Sequence, residues 1–91
     1  MEIDFDPAKN EKNIRERDLS FTQVQEVDFE TALFSIDFRR DYGEVRYRAL
    51  GLFEGRLHAL VFVETANGIR VISFRKANKR EIKLYESKTQ S

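Results

Sequence analysis

Four apolar-rich runs, 32–38, 44–53, 56–64 and 69–75, follow one another with only two to five residues between them. Connectors that short cannot carry a crossover, so successive strands must pair antiparallel, as a meander. The connectors read as turns: 40–43 (Arg-Asp-Tyr-Gly), Glu54-Gly55, and Asn67-Gly68. Asn-Gly is the strongest short hairpin signal, because a type I′ turn takes both central residues at positive φ. One sheet of this size needs a partner layer on one face, which leaves the other free to present polar side chains. Alternation places Arg46 and Arg48 on one face of their strand, and Arg56, His58 and Glu64 on one face of the next. In the fourth run it groups Val71, Ser73 and Arg75 against Arg70, Ile72 and Phe74.

Helical spacing flanks the strands. Asp6 before Pro7 suits an N-cap followed by the first helical position. A weakly amphipathic helix is expected over 7–17, with Ala8 and Ile14 as its apolar contacts. Ser20 and Gln23 have capping-box spacing, and Phe21, Val24 and Val27 recur every three residues, so a second helix is expected over 21–29. Asn78 and Glu81 repeat that spacing before a third helix over 79–87, with Ile82 and Tyr85 on one side. Residues 2–5 alternate and suit a short edge strand. The expected fold class is therefore α+β: two N-terminal helices, a four-stranded antiparallel meander and one C-terminal helix, in a single domain over 1–91. The expected core is Phe21, Val24, Val27, Leu50, Leu52, Val61, Val63, Ile72 and Phe74. No repeats or low-complexity segments interrupt the chain before the last few residues.

The net charge is zero, but the charges are unevenly spread. Residues 1–68 hold nine Lys/Arg against fourteen Asp/Glu, while 69–91 hold seven against two. That leaves −5 and +5, and it points to an anionic partner near the C-terminal third; the alternative is a solvated helix face. The chain has no cysteine and a single His58, so neither a disulfide framework nor a zinc site is expected. No cofactor is expected either. No Gly-rich phosphate loop or nucleophile triad appears. No apolar run approaches a membrane span and the acidic N-terminus lacks a signal-peptide core, so the default expectation is cytoplasmic.

Three stretches resemble one family. Residues 5–21 carry an Asp-Pro-x-Lys-Asn helix followed by a Ser-Phe helix start. Residues 42–64 resemble its middle strands, with Glu44 and Arg46 before a glycine. Residues 69–86 carry Arg-x-Ile-Ser-x-Arg-x-Ala, then Glu and Tyr on the last helix. In this order they resemble BrnT toxins of type II toxin–antitoxin systems. The resemblance implies a RelE-like fold and a ribonuclease that inhibits translation. It implies neutralisation by a BrnA-like antitoxin, whose own domain would supply any contact with DNA. One segment departs: where members commonly have Lys-His-Gly between the first two helices, this chain has Glu16, Arg17 and Asp18.

A metal-independent ribonuclease activates the ribose 2′-OH, stabilises charge at the phosphorus and protonates the 5′-oxygen. Arginine forks suit the second task. Arg46 and Arg75 are the catalytic candidates, with Arg70, Lys76, Arg80 and the Tyr85 hydroxyl as RNA-binding candidates. Arg75 ends a strand beside a helix N-terminus, where backbone donors favour anions. Arginine cannot be the base; Glu44, Glu81 or His58 could. Each has a structural alternative: Glu81 as a helix cap, Glu44 as a local partner of Arg46, Tyr85 as packing, and His58 as an ordinary strand histidine. An RNA- or antitoxin-binding domain of the same fold without cleavage is the second functional reading.

Overall fold

A computed structural model of the chain describes residues 1–89; positions 90 and 91, the end of the low-complexity stretch, lie outside the described residues. The elements are strand β1 (Glu2–Asp4), helix α1 (Pro7–Arg17), a 3₁₀ segment (Phe21–Glu26), β2 (Asp28–Ile36), β3 (Tyr47–Phe53), β4 (Arg56–Glu64), β5 (Gly68–Lys76) and α2 (Lys79–Thr89). The α+β class is as expected, but the sheet is five-stranded and mixed, in the order β1-β5-β4-β3-β2. The meander β2–β5 is antiparallel, and β1 adds in parallel to the free edge of β5 through Glu2, Ile3 and Asp4.

Gly68 explains both that addition and a failed turn assignment. A Cβ there would run into the backbone of Glu2, so only glycine lets β1 approach. Asn67 and Gly68 are not at positive φ; the two-residue turn of that kind is Glu54-Gly55, at φ 51 and 75. The Asn-Gly pair instead sits in a wider connection, where Thr65 N–H donates to the Gly68 carbonyl at 2.9 Å.

The second expected helix is a 3₁₀ segment that gives way to β2 at Asp28. A spacing of three is the 3₁₀ period itself, and it brings Phe21, Val24 and Val27 to one buried side. Its capping box is present: Ser20 N–H donates to Gln23 at 2.8 Å, and Thr22 N–H to Ser20 Oγ at 3.3 Å. The N-cap of α1 is also as expected, with Ala8 N–H donating to Asp6 at 2.9 Å. The contacts of α1 are not. Ala8 and Ile14 are exposed, and the helix is tied down by polar groups. Asn13 is buried and donates to the carbonyls of Leu19 (3.0 Å) and Phe74 (2.9 Å), while Asn10 accepts from Phe21 N–H (2.8 Å).

The main core lies between the sheet and the α1–3₁₀ layer. Phe21 and Val24 meet Phe53, Leu60, Phe62, Val71 and Phe74 there. Of the expected core, Phe21, Val24, Val27, Leu50 and Phe74 are buried, whereas Leu52, Val61, Val63 and Ile72 are half-buried. Leu52, Val61 and Val63 lie on the face that α1 does not cover, and Ile72 is displaced by a β-bulge. Val61 pairs with Ser73 and Phe62 with Val71, which leaves Ile72 as an extra residue on β5. The bulge shifts the alternation, so Val71 and Phe74 share the inner face. Arg70, Ser73 and Arg75 share the outer one, opposite Val63, Val61 and Ala59. Half of that outer face is covered by α2, over Leu50, Leu57 and Ala59 with Leu33, Leu52 and Tyr85. The other half is open.

Candidate functional site

The open half of the outer face holds a recess of about 100 Å³ ringed by four guanidinium groups, from Arg39, Arg46, Arg48 and Arg75. Alternation puts Arg48 on the outer face of β3, with Arg46 just ahead of the strand. The register then sets Arg48 opposite Val61, and Leu50, Ala59 and Arg75 side by side across three strands. Arg39 comes from the β2–β3 connection. Leu50, Ala59 and Val61 contribute apolar surface to the recess. Positive charge over apolar surface is less screened by water, which strengthens its attraction for an anion.

Like charges this close need support, and each arginine has a carboxylate behind it. Glu81 accepts from Arg75 through both oxygens, at 2.8 and 2.9 Å, and from Arg48 at 3.3 Å. The same side chain completes the capping box of α2: Asn78 N–H donates to Glu81 at 2.9 Å and Glu81 N–H to Asn78 at 2.8 Å. Glu81 is therefore a cap and an ion-pair centre at once. Bonding from Arg75 outweighs burial and draws its carboxyl down to about 2. Glu44 accepts from Arg70 at 2.8 Å and Arg46 at 3.2 Å, and Arg70 first, then Arg46, hold it below the usual carboxylate range.

A third support was not anticipated from the sequence. Asp37 is buried and accepts from Arg39 through its backbone N–H (3.1 Å), Nε (2.8 Å) and terminal nitrogen (2.7 Å), and from the Tyr42 hydroxyl (3.1 Å). The Arg39 side chain holds the Asp37 carboxyl well below its ordinary value. The Tyr42 ring also lies under the Arg46 guanidinium, 4.1 Å from its centroid. One loop thus fixes two of the four arginines. Its sequence signal was the density of charged residues around Tyr42, read above only as a turn.

The remaining candidates divide. Arg80 lines a wider depression beside the recess, together with Arg39, Arg48 and Arg75. Arg70 reaches the recess only through Glu44 and Arg46. Lys76 lies across the sheet, in a depression with Arg17 and His58. The Tyr85 hydroxyl donates to the Thr31 carbonyl at 3.0 Å and its ring packs against the cluster of Leu50, Leu57 and Ala59. His58 is buried on the inner face, its Nδ1 2.8 Å from the Arg56 carbonyl and its ring between Phe53 and Phe74. Arg48 and Arg39 complete the ring without having been singled out; Arg48 was identifiable from its shared face with Arg46. Among the described residues, no group of three or more His, Cys, Asp or Glu is placed to hold a metal ion, and no helix is long and apolar enough to cross a membrane.

Residues 5–81 match the family of ribonuclease toxins, BrnT, of type II toxin–antitoxin systems. The chain belongs to this family. The match spans the N-terminal helix, the whole meander and Glu81 at the start of α2, so all four ring arginines fall inside it. A search of curated proteins returned no match. Membership in BrnT makes the activity class ribonucleolytic and implies an antitoxin as partner.

Proposed function

We propose that the arginine-ringed recess is the ribonuclease centre and that cleavage proceeds without a metal ion. The scissile phosphate sits among Arg75, Arg46, Arg48 and Arg39. The ribose 2′-oxygen attacks phosphorus, the bond to the 5′-oxygen breaks, and a 2′,3′-cyclic phosphate and a 5′-hydroxyl result. The 2′-OH proton goes to Glu44, the more exposed of the two carboxylates paired to Arg46 and Arg75, and water protonates the leaving 5′-oxygen. Glu44 is a weak base because Arg70 and Arg46 hold it ionised, so most of the acceleration falls to the guanidinium groups. Glu81 is a positioning residue: it fixes Arg75 and Arg48. Of five N–H donors on Arg75, three are engaged by Glu81 and the Lys76 carbonyl, which leaves two for a phosphate. Arg80 serves the flanking RNA, and we assign Arg70 to holding Glu44.

The observation that carries this reading is the convergence of four arginines on one small recess within a chain of zero net charge. We read the fold as RelE-like, the partner as a BrnA-like antitoxin that covers this cationic face, and the setting as cytoplasmic. The depressed carboxylates favour a second reading, RNA or antitoxin binding without efficient cleavage. One experiment separates the two. Purified protein is incubated with RNA in EDTA, and products and binding are followed together. Cleavage to cyclic phosphate that survives EDTA and is lost in Arg46→Ala supports the proposal. Binding without cleavage selects the second reading, and cleavage stopped by EDTA ends the metal-free mechanism.

A further inference from the structure

The recess does not stand alone. At the β5 bulge, Ile72 and Ser73 also line a depression of about 250 Å³ under α1, where Lys9, Lys12 and Arg17 stand. On its other side the recess shares Arg39, Arg48 and Arg75 with the depression at Arg80. That one in turn shares Asn78 and Arg80 with a shallow hollow at Lys79 and Lys83. Four depressions thus neighbour one another through shared lining residues, from α1 over the bulge and past the N-terminus of α2. Ten of the sixteen Lys/Arg line them, against two of the sixteen Asp/Glu, Glu16 and Glu81. Glu81 is already neutralised by its arginines. Glu16 faces Lys12 at 3.9 Å with both side chains more than half exposed, a pairing that constrains Lys12 little. In a chain of zero net charge, this segregation is a surface built for an extended polyanion.

Resting on the ribonuclease reading, we propose that the substrate is single-stranded RNA laid along this whole track, with Lys9 and Lys12 of α1 as a subsite for phosphates distant from the cleaved bond. The recess is narrow and the track bends over the sheet edge, which a flexible strand follows and a duplex does not. In-line attack by the 2′-oxygen also needs sugar–phosphate torsions free to reach a near-attack geometry, and pairing holds them fixed. Lys9 and Lys12 are exposed and bond no core group, so they act on binding and not on the chemical step.

The test uses the full chain and a twelve-nucleotide single-stranded RNA carrying 2′-O-methyl groups, which block cleavage. Lys9→Gln/Lys12→Gln is expected to weaken binding by about tenfold near 0.15 M salt. The slope of log affinity against log salt should shrink by about 1.4, since each single-strand phosphate contact contributes about 0.7. With a cleavable RNA, the rate at saturation stays unchanged while KM rises; a trinucleotide substrate loses nothing. Arg15→Gln/Lys88→Gln removes two charges that line none of these depressions and is expected to leave the slope alone. Unchanged affinity and slope in Lys9→Gln/Lys12→Gln overturn the track even if wild-type protein cleaves RNA. Duplex RNA bound as tightly, with the same loss in the variant, overturns the single-strand assignment. Loss of polyglutamate binding with RNA binding intact makes the α1 subsite one for an acidic protein segment. Binding that follows the track in a protein that never cleaves upholds this inference and defeats the ribonuclease proposal alone.

Discussion

The inner and outer faces of the sheet are made by the same strands and pack by opposite rules. The inner face is closed by α1 and the 3₁₀ segment, and its polar visitors are few. Asn13 spends its amide on two carbonyls, and His58 lies between two phenylalanine rings with one nitrogen on a backbone oxygen. The outer face is covered only where α2 reaches. Beyond that edge it gathers arginines, each restrained by a carboxylate from outside the strands: Glu81 from α2, Glu44 and Asp37 from the β2–β3 connection. Stability is concentrated on one side and charge on the other, and the bulge at Ile72 lets β5 serve both. Without that extra residue, Arg70 and Arg75 would point to opposite faces, as simple alternation predicts.

The largest effect is expected on the inner face. Phe74 is fully buried, with its ring 5.6 Å from Phe53 and 5.3 Å from His58. Phe74→Ala leaves a cavity among rigid neighbours and is expected to cost about 3–5 kcal/mol of stability. The matching change on the outer face, Val61→Ala at a half-buried site, should cost about 1 kcal/mol. Urea unfolding of both variants checks the contrast; equal losses would mean that the two faces are not packed differently.

Arg75 is next, and its effect should divide between activity and stability. Loss of one fixed donor to a developing oxyanion typically costs about 10²–10³ in rate, so Arg75→Ala should lower RNA cleavage by that factor. It also strands Glu81, a buried carboxylate, without its closest partner, which should cost roughly 1–3 kcal/mol of stability. Arg75→Lys should rescue the fold better than the activity, because an ammonium keeps the charge but not the two-pronged contact. Cleavage rates read beside thermal melts separate the two effects. A variant that melts early yet cleaves at the wild-type rate would reduce Arg75 to a structural role.

A smaller effect belongs to pH. The Glu81 carboxyl is drawn from 4.5 to about 2, so the folded state binds its proton less readily than the unfolded chain. A depressed carboxylate contributes stability above its unfolded value and loses it as pH falls through the folded one. The window is therefore about pH 4.5 down to 2, and the contribution is at most about 3–4 kcal/mol, from about 1.4 kcal/mol per unit. Asp37 acts in the same direction and extends the loss to lower pH. Denaturant midpoints across this range should fall with acid, and Glu81→Gln should flatten part of the curve. A wild-type midpoint independent of pH below 4.5 would show that the outer-face clamps hold nothing together.

These comparisons also show what a chain like this states locally. The caps were legible, because Asp6, Ser20 and Asn78 act on residues two or three positions away. The meander was legible from its short connectors, and the pairing of Glu44 with Arg46 from its spacing. The bulge was not, because register is decided between strands: nothing within 69–75 says that Ile72 is unpaired. Four core assignments failed for that reason and for the choice of which face α1 covers. Asp37, Arg39 and Tyr42 escaped notice because a connection dense in charge looks solvated until a buried carboxylate is found inside it. Short β1 was visible as an alternating segment, but its parallel pairing depends on the bare backbone of Gly68, far along the chain.

The smallest expected effect tests whether Asp18, within the departure at residues 16–18, touches the outer face at all. Asp18 ends α1 in the left-handed conformation, φ 56 and ψ 35, with its N–H bonded to the Ile14 carbonyl at 2.9 Å. Glycine adopts that conformation without the Cβ penalty, which is why it commonly follows a helix. Aspartate tolerates it, but it also places a negative charge at the negative end of the helix dipole. Asp18→Gly removes both costs, of which the charge term is about 0.3–1 kcal/mol, and adds back some freedom to the unfolded chain. The net expectation is a gain of about 0.5–1 kcal/mol, or a few degrees in Tm for a domain of this size. Asp18 lines a depression with Phe53, Arg56 and His58, and the arginine-ringed recess has none of these in its wall. RNA cleavage by Asp18→Gly should therefore match the wild type while the melt moves up. A cleavage rate that rises with the substitution, at unchanged Tm, would mean that the end of α1 reaches the chemistry from the far side of the sheet, and the division of labour between the faces would fail there.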